Sequence, residues 1–157
     1  CNKELRLPKV IAIVIAIGCD HAGYDLKKEV AEYLKKNNIE IIDCGCDGQS
    51  CDYPDIAEAV CEKITSGQAD KGILICGTGI GMSIAANKID GIRSAVCSEH
   101  FSVKYTRLHN DANVLCMGAR VIGPGIAVEL ADLFISTEFE GGRHQRRLDL
   151  IIKLENK

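Results

Sequence analysis

A glycine-rich loop between an apolar run and a short helical stretch is the sharpest chemical feature of the sequence. Gly77 to Gly81 reads GTGIG and directly follows Cys76. Such loops turn backbone N–H groups towards an anion, and the N-terminus of the following helix adds to the attraction. Met82 stands where a dinucleotide fingerprint needs its third glycine, and no Walker A lysine follows. The loop therefore favours a small oxyanion or phosphate, although a tight turn built for packing would use the same residues.

The thiol of Cys76 lies at the mouth of this loop. A cysteine beside a ring of amides and a helix N-terminus is activated and can act as a base or a nucleophile. Buried cysteines are also common as small apolar residues, and Cys97 and Cys116 lie in similar apolar runs. From position alone, the catalytic and the structural interpretations of Cys76 both stay open.

Two arginines near the end of the chain have the spacing of a phosphate clamp. Arg143 and Arg147 lie four residues apart at the start of a predicted helix. They share one helix face and can bind a single phosphate, whereas Arg146 lies on a neighbouring face. The alternative interpretation is a basic face that only meets solvent.

The sequence predicts no metal site. His21, His109 and His144 are far apart along the chain, and a lone histidine is more often a hydrogen-bonded structural group than a catalyst. The closely spaced cysteines of the 44–51 segment have no fourth ligand at zinc-finger spacing.

Length and composition predict one domain that binds neither nucleic acid nor membranes. The chain has 157 residues, 46% of them apolar, which is enough for a single ordinary core. A formal net charge of −3 and only 4% aromatic residues disfavour a nucleic-acid or anionic-membrane binder. Nine cysteines, an odd number with no C-x-x-C pair, indicate free thiols in a reducing cytoplasm.

The N-terminal segment is expected to lie outside the functional domain. Residues 1–13 are interpreted as an extension or a mis-assigned start, and residues 14–157 as a single domain. The apolar run from Val10 to Ile17 has only eight residues, too few to span a membrane. It could pass for the core of a signal peptide, but the residues that follow do not form a small-residue cleavage site.

Apolar strand-like runs alternate with amphipathic helical stretches. Strands are predicted near 10–17, 39–44, 72–76, 92–97 and 112–117, and helices near 24–37, 54–67, 82–88, 99–109, 124–135 and from about 143. This alternation predicts a three-layer α/β/α sandwich around five parallel strands. Ligands of such sheets bind outside the carboxyl ends of the strands, which selects Asp20-His21, Asp52-Tyr53 and the segment from Cys76 to Gly81.

Together these motifs resemble ribose-5-phosphate isomerase B and its sugar-phosphate isomerase relatives. The matching stretches occur in the family order and extend from about Val14 to Leu154. They are GCDHAG at 18–23, DYP at 52–54, ICGTGIGMSIAANK at 75–88, RSAVC at 93–97, HNDANVL at 109–115 and EGGRH at 140–144. The resemblance implies a Rossmann-like five-stranded sheet and an intramolecular oxidoreductase. It would interconvert an aldose phosphate and a ketose phosphate through an enediolate, without metal or cofactor.

The resemblance also implies roles for individual residues. Cys76 would carry the proton between C1 and C2, because the glutamate that some members use corresponds here to Met82. Thr78 would assist proton transfer at the oxygens, and His109 would open the sugar ring. The amides that would hold the enediolate charge belong to Gly77, Gly79, Ile80 and Gly81. Hydroxyl contacts would come from Asp20, Tyr53 and Asn110, and phosphate contacts from His21, Arg120, Arg143 and Arg147.

The family works as a homodimer or a dimer of dimers with shared active sites, and the predicted topology agrees. The helix after the fourth strand runs back from the carboxyl edge, so His109 should end near the edge opposite Cys76. We expect a two-fold neighbour to supply His109, Asn110 and Arg120 to the sugar held by Cys76.

The sequence therefore predicts a cytoplasmic ribose-5-phosphate isomerase of the pentose phosphate pathway. One rival keeps the reaction and changes the sugar to allose 6-phosphate or galactose 6-phosphate. The other rival is a non-catalytic regulator that binds sugar phosphates on the same fold. A complete set of predicted site residues on one chain favours a self-sufficient isomerase.

Overall fold

The computed structural model describes residues 12–157, and within them it contains the five strands and six helices that the pattern predicts. The strands are β1 (Val14–Cys19), β2 (Glu40–Asp43), β3 (Lys71–Cys76), β4 (Ser94–Val96) and β5 (Val114–Gly118). The helices are α1 (Tyr24–Lys36), α2 (Tyr53–Thr65), α3 (Ile80–Ala86), α4 (His100–Asn110), α5 (Pro124–Ser136) and α6 (Arg143–Ile152). Short 3₁₀ turns cover His21–Gly23 and Lys153–Asn156.

The sheet is entirely parallel, in the order β2-β1-β3-β5-β4. Helices α1, α4 and α5 cover one face, where Leu34, Val103 and Phe134 join the core. Helices α2 and α3 cover the other face with Val60 and Met82. Helix α6 packs outside the sandwich, against α4. The three-layer α/β/α architecture is confirmed.

Several predicted boundaries are wrong by a few residues. Strand β1 begins at Val14 rather than Val10, because its partners begin there: Val14 is opposite Glu40, and its N–H donates to the Asp70 carboxylate at 2.8 Å. Most of the predicted N-terminal extension, residues 1–11, lies outside the described residues. Strand β4 is short because it is an edge strand that pairs only with β5. Helix α3 begins two residues early, directly after Gly79.

Strand β3 is a central strand, and its side chains point alternately to the two faces of the sheet. Cys76 lies on the face that α2 and α3 cover. Ile73 and Ile75 point into the core beneath α1 and α5, whereas Leu74 and Cys76 point towards α2 and α3. Successive side chains of a strand point to opposite faces of the sheet, so Leu74 and Cys76, two residues apart, must share one face. Cys76 therefore ends β3 beneath the loop that leads into α3.

A buried arginine fixes the C-terminal end of α4. Arg107 donates from Nε to the Thr137 carbonyl at 2.9 Å and from Nη1 to the Ala112 carbonyl at 2.7 Å. It also forms an ion pair with Asp111 at 2.7 Å. These bonds hold the last turn of α4, which carries His109, against the loop after α5. Within residues 12–157, no helix is long and apolar enough to cross a membrane.

The first turn after β1 is held close to β3 by a glycine. The Asp20 carboxylate accepts hydrogen bonds from the N–H groups of Ala22 and Gly23, at 2.9 and 3.2 Å. A Cβ added at Gly23 would lie 2.5 Å from the Ile75 carbonyl oxygen, so only glycine fits there without moving backbone. The turn therefore keeps Asp20 and His21 beside the end of β3.

We expect Gly23→Ala to reduce the free energy of unfolding by about 1–3 kcal/mol, the usual range for overpacking a rigid contact. Gly125→Ala is the matched control, because a Cβ at this helical glycine has nothing within 4 Å. It should be neutral or stabilising by up to about 1 kcal/mol. Urea unfolding of both variants measures the difference, and equal stabilities would contradict the close-packing argument.

Candidate active site

The Cys76 thiol and the glycine loop form one hydrogen-bonded unit. The Gly79 N–H donates to Cys76 Sγ at 3.1 Å, and Cys76 is only 5% exposed. Gly79 adopts φ +79°, and a Cβ there would lie 2.9 Å from the Met117 backbone carbon. Any other residue would be strained at this φ and would push against β5, so the loop that presents an amide to the sulfur requires glycine here.

The end of β5 braces the same loop. The Ala119 N–H donates to the Cys76 carbonyl at 2.8 Å, and the Arg120 N–H donates to the Gly77 carbonyl at 3.0 Å. The Arg120 guanidinium lies over Gly77, where an added Cβ would be 3.4 Å from Nη1. Thr78 is exposed, and its Oγ1 accepts the Ile80 N–H at 3.2 Å.

The prediction that Arg120 accompanies His109 is therefore wrong. Strands β3 and β5 are adjacent and parallel, with Cys76 opposite Gly118. The residues that follow both strands consequently emerge at the same edge. Arg120 belongs with Cys76 of its own chain.

Two further segments meet at this edge, as the rule for parallel sheets predicts. Asp20 is buried at the end of β1, and His21 beside it is exposed. The Tyr53 ring lies directly on Gly81, where an added Cβ would be 2.8 Å from Cζ. We call the residues gathered here the Cys76 group: Asp20, His21, Tyr53, Cys76, the loop from Gly77 to Gly81, and Arg120.

The remaining predicted residues gather at the opposite edge of the sheet. Arg93, just before β4, donates from Nε to the Asn110 carbonyl at 3.0 Å, so the end of α4 lies beside the amino ends of β4 and β5. Strand β5 has four rises of about 3.3 Å, so its two ends are about 13 Å apart. A cavity of about 340 Å³ here is lined by His109, Asn110, Arg143, His144 and Arg147, together with Leu148 and Ile151. We call His109, Asn110, Arg143 and Arg147 the His109 group.

The cavity at the His109 group suits an anion. Arg143 and Arg147 both line it, and Arg147 Nη1 lies 3.4 Å from the Arg143 carbonyl, one turn apart on the same helix face. Two guanidinium groups on one wall provide bidentate donors for a phosphate. The spacing prediction for these two arginines therefore agrees with where the structure places them.

His144 and Glu140 lie beside the His109 group, although the sequence did not mark either of them as a site residue. The imidazoles of His109 and His144 stack with centroids 4.1 Å apart and planes 14° from parallel. A Glu140 carboxylate oxygen lies 3.5 Å from His109 Nε2 and 3.7 Å from His144 Nε2. The four-residue spacing of Glu140 and His144 hints that they are neighbours, but nothing in the sequence connects them to a residue on α4.

Burial lowers the pKa of His144, and the positive charges of His109 and Arg143 lower it further. The Glu140 carboxylate acts in the opposite direction but is outweighed. His144 therefore stays neutral at physiological pH, as a flat ring packed on His109.

Four other buried cysteines have no catalytic environment. Burial raises the pKa of Cys19, Cys61 and Cys116 to about 12 and that of Cys97 to about 11. These thiols stay protonated at neutral pH and serve as small apolar side chains. The Cys76 sulfur lies instead at the mouth of the glycine loop and accepts the Gly79 N–H.

Among residues 12–157, one group of three side chains has the spacing of metal ligands: His109, Glu140 and His144, whose ligand atoms lie within 4.8 Å of one another. The stacking of His109 on His144 orients the two imidazoles poorly for binding one metal ion. A ligating imidazole directs its lone pair within the ring plane, and two nearly parallel rings do not direct theirs to one point. Arg143 and Arg147 would also repel a cation there.

Comparison with known proteins identifies the family. Residues 15–151 match the ribose/galactose isomerase family. The chain belongs to this family. It is 46% identical over 144 residues to ribose-5-phosphate isomerase B of Escherichia coli, covering 91% of this chain and 97% of that protein. The ribose-5-phosphate isomerase B structure from Clostridium thermocellum has a TM-score of 0.90 at 48% identity, covering 92% and 98% of the two chains.

The family membership makes the protein a sugar-phosphate isomerase and confirms the resemblance seen in the sequence. Family members differ in their sugar. D-erythrulose-4-phosphate isomerase of Pectobacterium atrosepticum is 42% identical over 139 residues, covering 87% of this chain and 91% of that protein.

Proposed function

We propose that the protein interconverts ribose 5-phosphate and ribulose 5-phosphate through an enediolate, with Cys76 as the base and without a metal. The contact between the Gly79 N–H and Cys76 Sγ carries this proposal. An N–H directed at sulfur favours a thiolate, and the surrounding loop amides favour negative charge on a substrate oxygen. The family alternative, a glutamate one turn later, is replaced by the fully buried Met82.

The reaction begins with the ring closed. Opening the furanose breaks the bond between C1 and the ring oxygen, and a proton moves from the C1 hydroxyl to that oxygen. His109 catalyses this transfer as acid and base. The Cys76 thiolate then takes the C2 proton, which leaves a C1–C2 enediolate, and returns it to C1. Thr78 moves the hydroxyl proton between O1 and O2, so that no proton is gained or lost overall.

The remaining residues hold the substrate. Asp20, Tyr53 and Asn110 bind hydroxyl groups, while His21, Arg120, Arg143 and Arg147 bind the phosphate. These cationic and polar side chains surround both halves of the proposed site, which supports a small anionic sugar. Ribose 5-phosphate is the preferred sugar because the E. coli and C. thermocellum relatives carry that name at 46–48% identity.

We also propose that each active site combines the Cys76 group of one subunit with the His109 group of another. In a single chain the two groups are separated by the length of β5, about 13 Å. An exposed apolar face formed by Ile80, Ile84, Val96 and Phe101 supports a dimer, since Phe101 is 69% exposed and Ile84 59%.

This apolar face touches both halves of the proposed site. Val96 abuts the catalytic loop, where a Cβ on Gly79 would lie 3.0 Å from its Cγ2. In the other direction, the rings of Phe101, Tyr105 and His109 follow one another along α4 with centroids 4.4 and 4.9 Å apart. Phe101 and His109 are separated by eight rises of about 1.5 Å, about 12 Å in all, which matches the gap to be bridged. A two-fold pairing through this face would bring the partner's α4 end to each Cys76 loop.

Cys76→Ala should reduce kcat about a thousandfold and change KM only a few-fold, because the proton transfer loses its base. Cys61→Ala removes another buried thiol, which lies on α2 rather than at the glycine loop, and should retain turnover. Turnover of ribose 5-phosphate, measured in EDTA, tests both the base and the metal-free mechanism. Near-normal activity of Cys76→Ala, or wild-type inactivation by EDTA, would contradict the proposal.

The same assay with erythrulose 4-phosphate, allose 6-phosphate and galactose 6-phosphate ranks the sugars. A higher kcat/KM for any of them than for ribose 5-phosphate would move the proposal to that substrate. If no sugar phosphate is turned over but one of them binds, the protein is a binding regulator. A cytoplasmic location and a place in the pentose phosphate pathway stay predictions.

Arg143→Ala or Arg147→Ala should each reduce kcat/KM about 10- to 200-fold, because a charge-assisted contact contributes about 1.5–3 kcal/mol. Arg146→Ala is the matched control, since this exposed arginine does not line the cavity. The reduction should be specific to phosphorylated substrate. Equal losses with unphosphorylated ribose would mean that the arginines are structural.

Mixed dimers test the shared site. Cys76→Ala and His109→Ala homodimers should both be nearly inactive. Refolded together in equal amounts, about half the dimers are mixed, and each mixed dimer has one intact site and one doubly damaged site. About a quarter of wild-type activity should therefore return. If mass spectrometry detects mixed dimers and activity stays at the parental level, both residues serve one subunit's site.

A further inference from the structure

The ring-opening residue His109 is held by a small assembly that no step of the mechanism above uses. Its imidazole is stacked on His144 at 4.1 Å, and Glu140 lies within 4 Å of a nitrogen on each ring. Tyr105 completes the surroundings with an edge-on contact at 4.9 Å. The carboxylate is the only acidic group that faces these rings among the described residues, and Arg143 and Arg147 are the nearby cations.

The backbone conformation between Glu140 and His144 brings both side chains to His109. The Glu140 N–H donates to the Leu108 carbonyl at 3.1 Å, which ties the Glu140 backbone to the residue before His109. Gly141 and Gly142 then adopt φ +71° and +58°, in the left-handed region that favours glycine. This turn starts α6 at once and brings His144 over the His109 ring. His144 is buried, whereas the His109 side chain is about one-third exposed, so the covered ring supports the accessible one.

The charges in the assembly differ between its two rings. His144 stays neutral, because burial and the neighbouring cations oppose its protonation. The Glu140 carboxylate lies 3.5 Å from His109 Nε2, where its charge can balance the proton that His109 gains and gives up during the proposed ring opening. A carboxylate that faces one ring nitrogen also favours a proton on that nitrogen, which leaves the other nitrogen to act as the base.

We propose that Glu140 and His144 are positioning residues for His109: the carboxylate and the stacked ring hold its imidazole in the orientation that sugar ring opening requires. This inference rests on the proposed ring-opening role of His109. In the ring-opening step, the C1–O4 bond breaks, the C1 hydroxyl proton leaves to the imidazole, and O4 receives a proton from it. Glu140 and His144 do not touch the sugar.

The substrate offers a clean way to isolate this step. Ribose 5-phosphate is mostly a closed furanose, whereas ribulose 5-phosphate stays open because its C5 oxygen carries the phosphate. Exchange of the C1 hydrogen of ribulose 5-phosphate with D₂O requires Cys76 and the phosphate contacts but no ring opening. The ratio of ribose 5-phosphate turnover to this exchange therefore reports on the His109 assembly alone.

We expect Glu140→Gln to reduce ribose 5-phosphate turnover about 10- to 100-fold, within the range of general acid–base contributions, while C1 exchange stays within about threefold. His144→Ala should behave in the same way, with a smaller loss of about tenfold. His144→Phe should recover most of that loss, because it restores the flat ring beneath His109. Glu138→Gln, a neighbouring exposed carboxylate outside the assembly, should leave both rates unchanged.

His109→Asn tests the ring-opening role of His109 separately from the positioning role of Glu140 and His144. It should lose ribose 5-phosphate turnover and keep exchange, and if it keeps both, the proposed role of His109 is wrong. If His109→Asn behaves as expected but Glu140→Gln and His144→Ala keep full turnover, the positioning role is wrong on its own. Loss of turnover and exchange in equal proportion would also overturn it, since that outcome indicates a defect in folding or in phosphate binding.

Discussion

Every strand of the sheet runs in the same direction, and this constraint decides which chemical groups can meet. A parallel sheet places all its carboxyl ends at one edge, so the residues that follow β1, β3 and β5 converge without being near one another in sequence. The helices between the strands must return to the other edge. His109, at the end of one such helix, is therefore separated from Cys76 by the whole length of the sheet. The site shared between subunits that we propose would close this separation.

At the edge that carries Cys76, glycines allow neighbouring segments to pack closely and so fix the position of the loop. Gly79 lets the loop pass over β5 with a positive φ and directs its amide at the Cys76 sulfur. Gly81 admits the Tyr53 ring. The loop is thus held against β5 and α2 by its own backbone, a fixed arrangement of the kind that the proposed stabilisation of an enediolate requires. The many other buried thiols lack such a loop and serve as core residues.

The His109 edge is organised by side chains rather than by loop backbone. Arg107 fastens the last turn of α4, and Gly141 and Gly142 turn the chain into α6. Two arginines and two stacked imidazoles line a single cavity, and the Glu140 carboxylate lies 3.5 Å from one of those imidazoles. The cationic side chains and the imidazoles of the His109 group line this cavity, whereas the Cys76 thiol and the glycine loop lie at the other edge.

The sequence by itself determined the layer architecture, the five parallel strands and the place of the glycine loop directly after β3. These features depend on local periodicity and on the end of each strand, and both can be read along the chain. Strand β4 and the start of β1 were less predictable, because their limits depend on which neighbours pair with them. The wrong placement of Arg120 has the same origin: strand order brings β5 beside β3, and no local pattern encodes strand order. Only the tertiary structure could join Glu140 and His144 to His109, because stacking and ion pairing across α4 and α6 depend on how two distant helices pack.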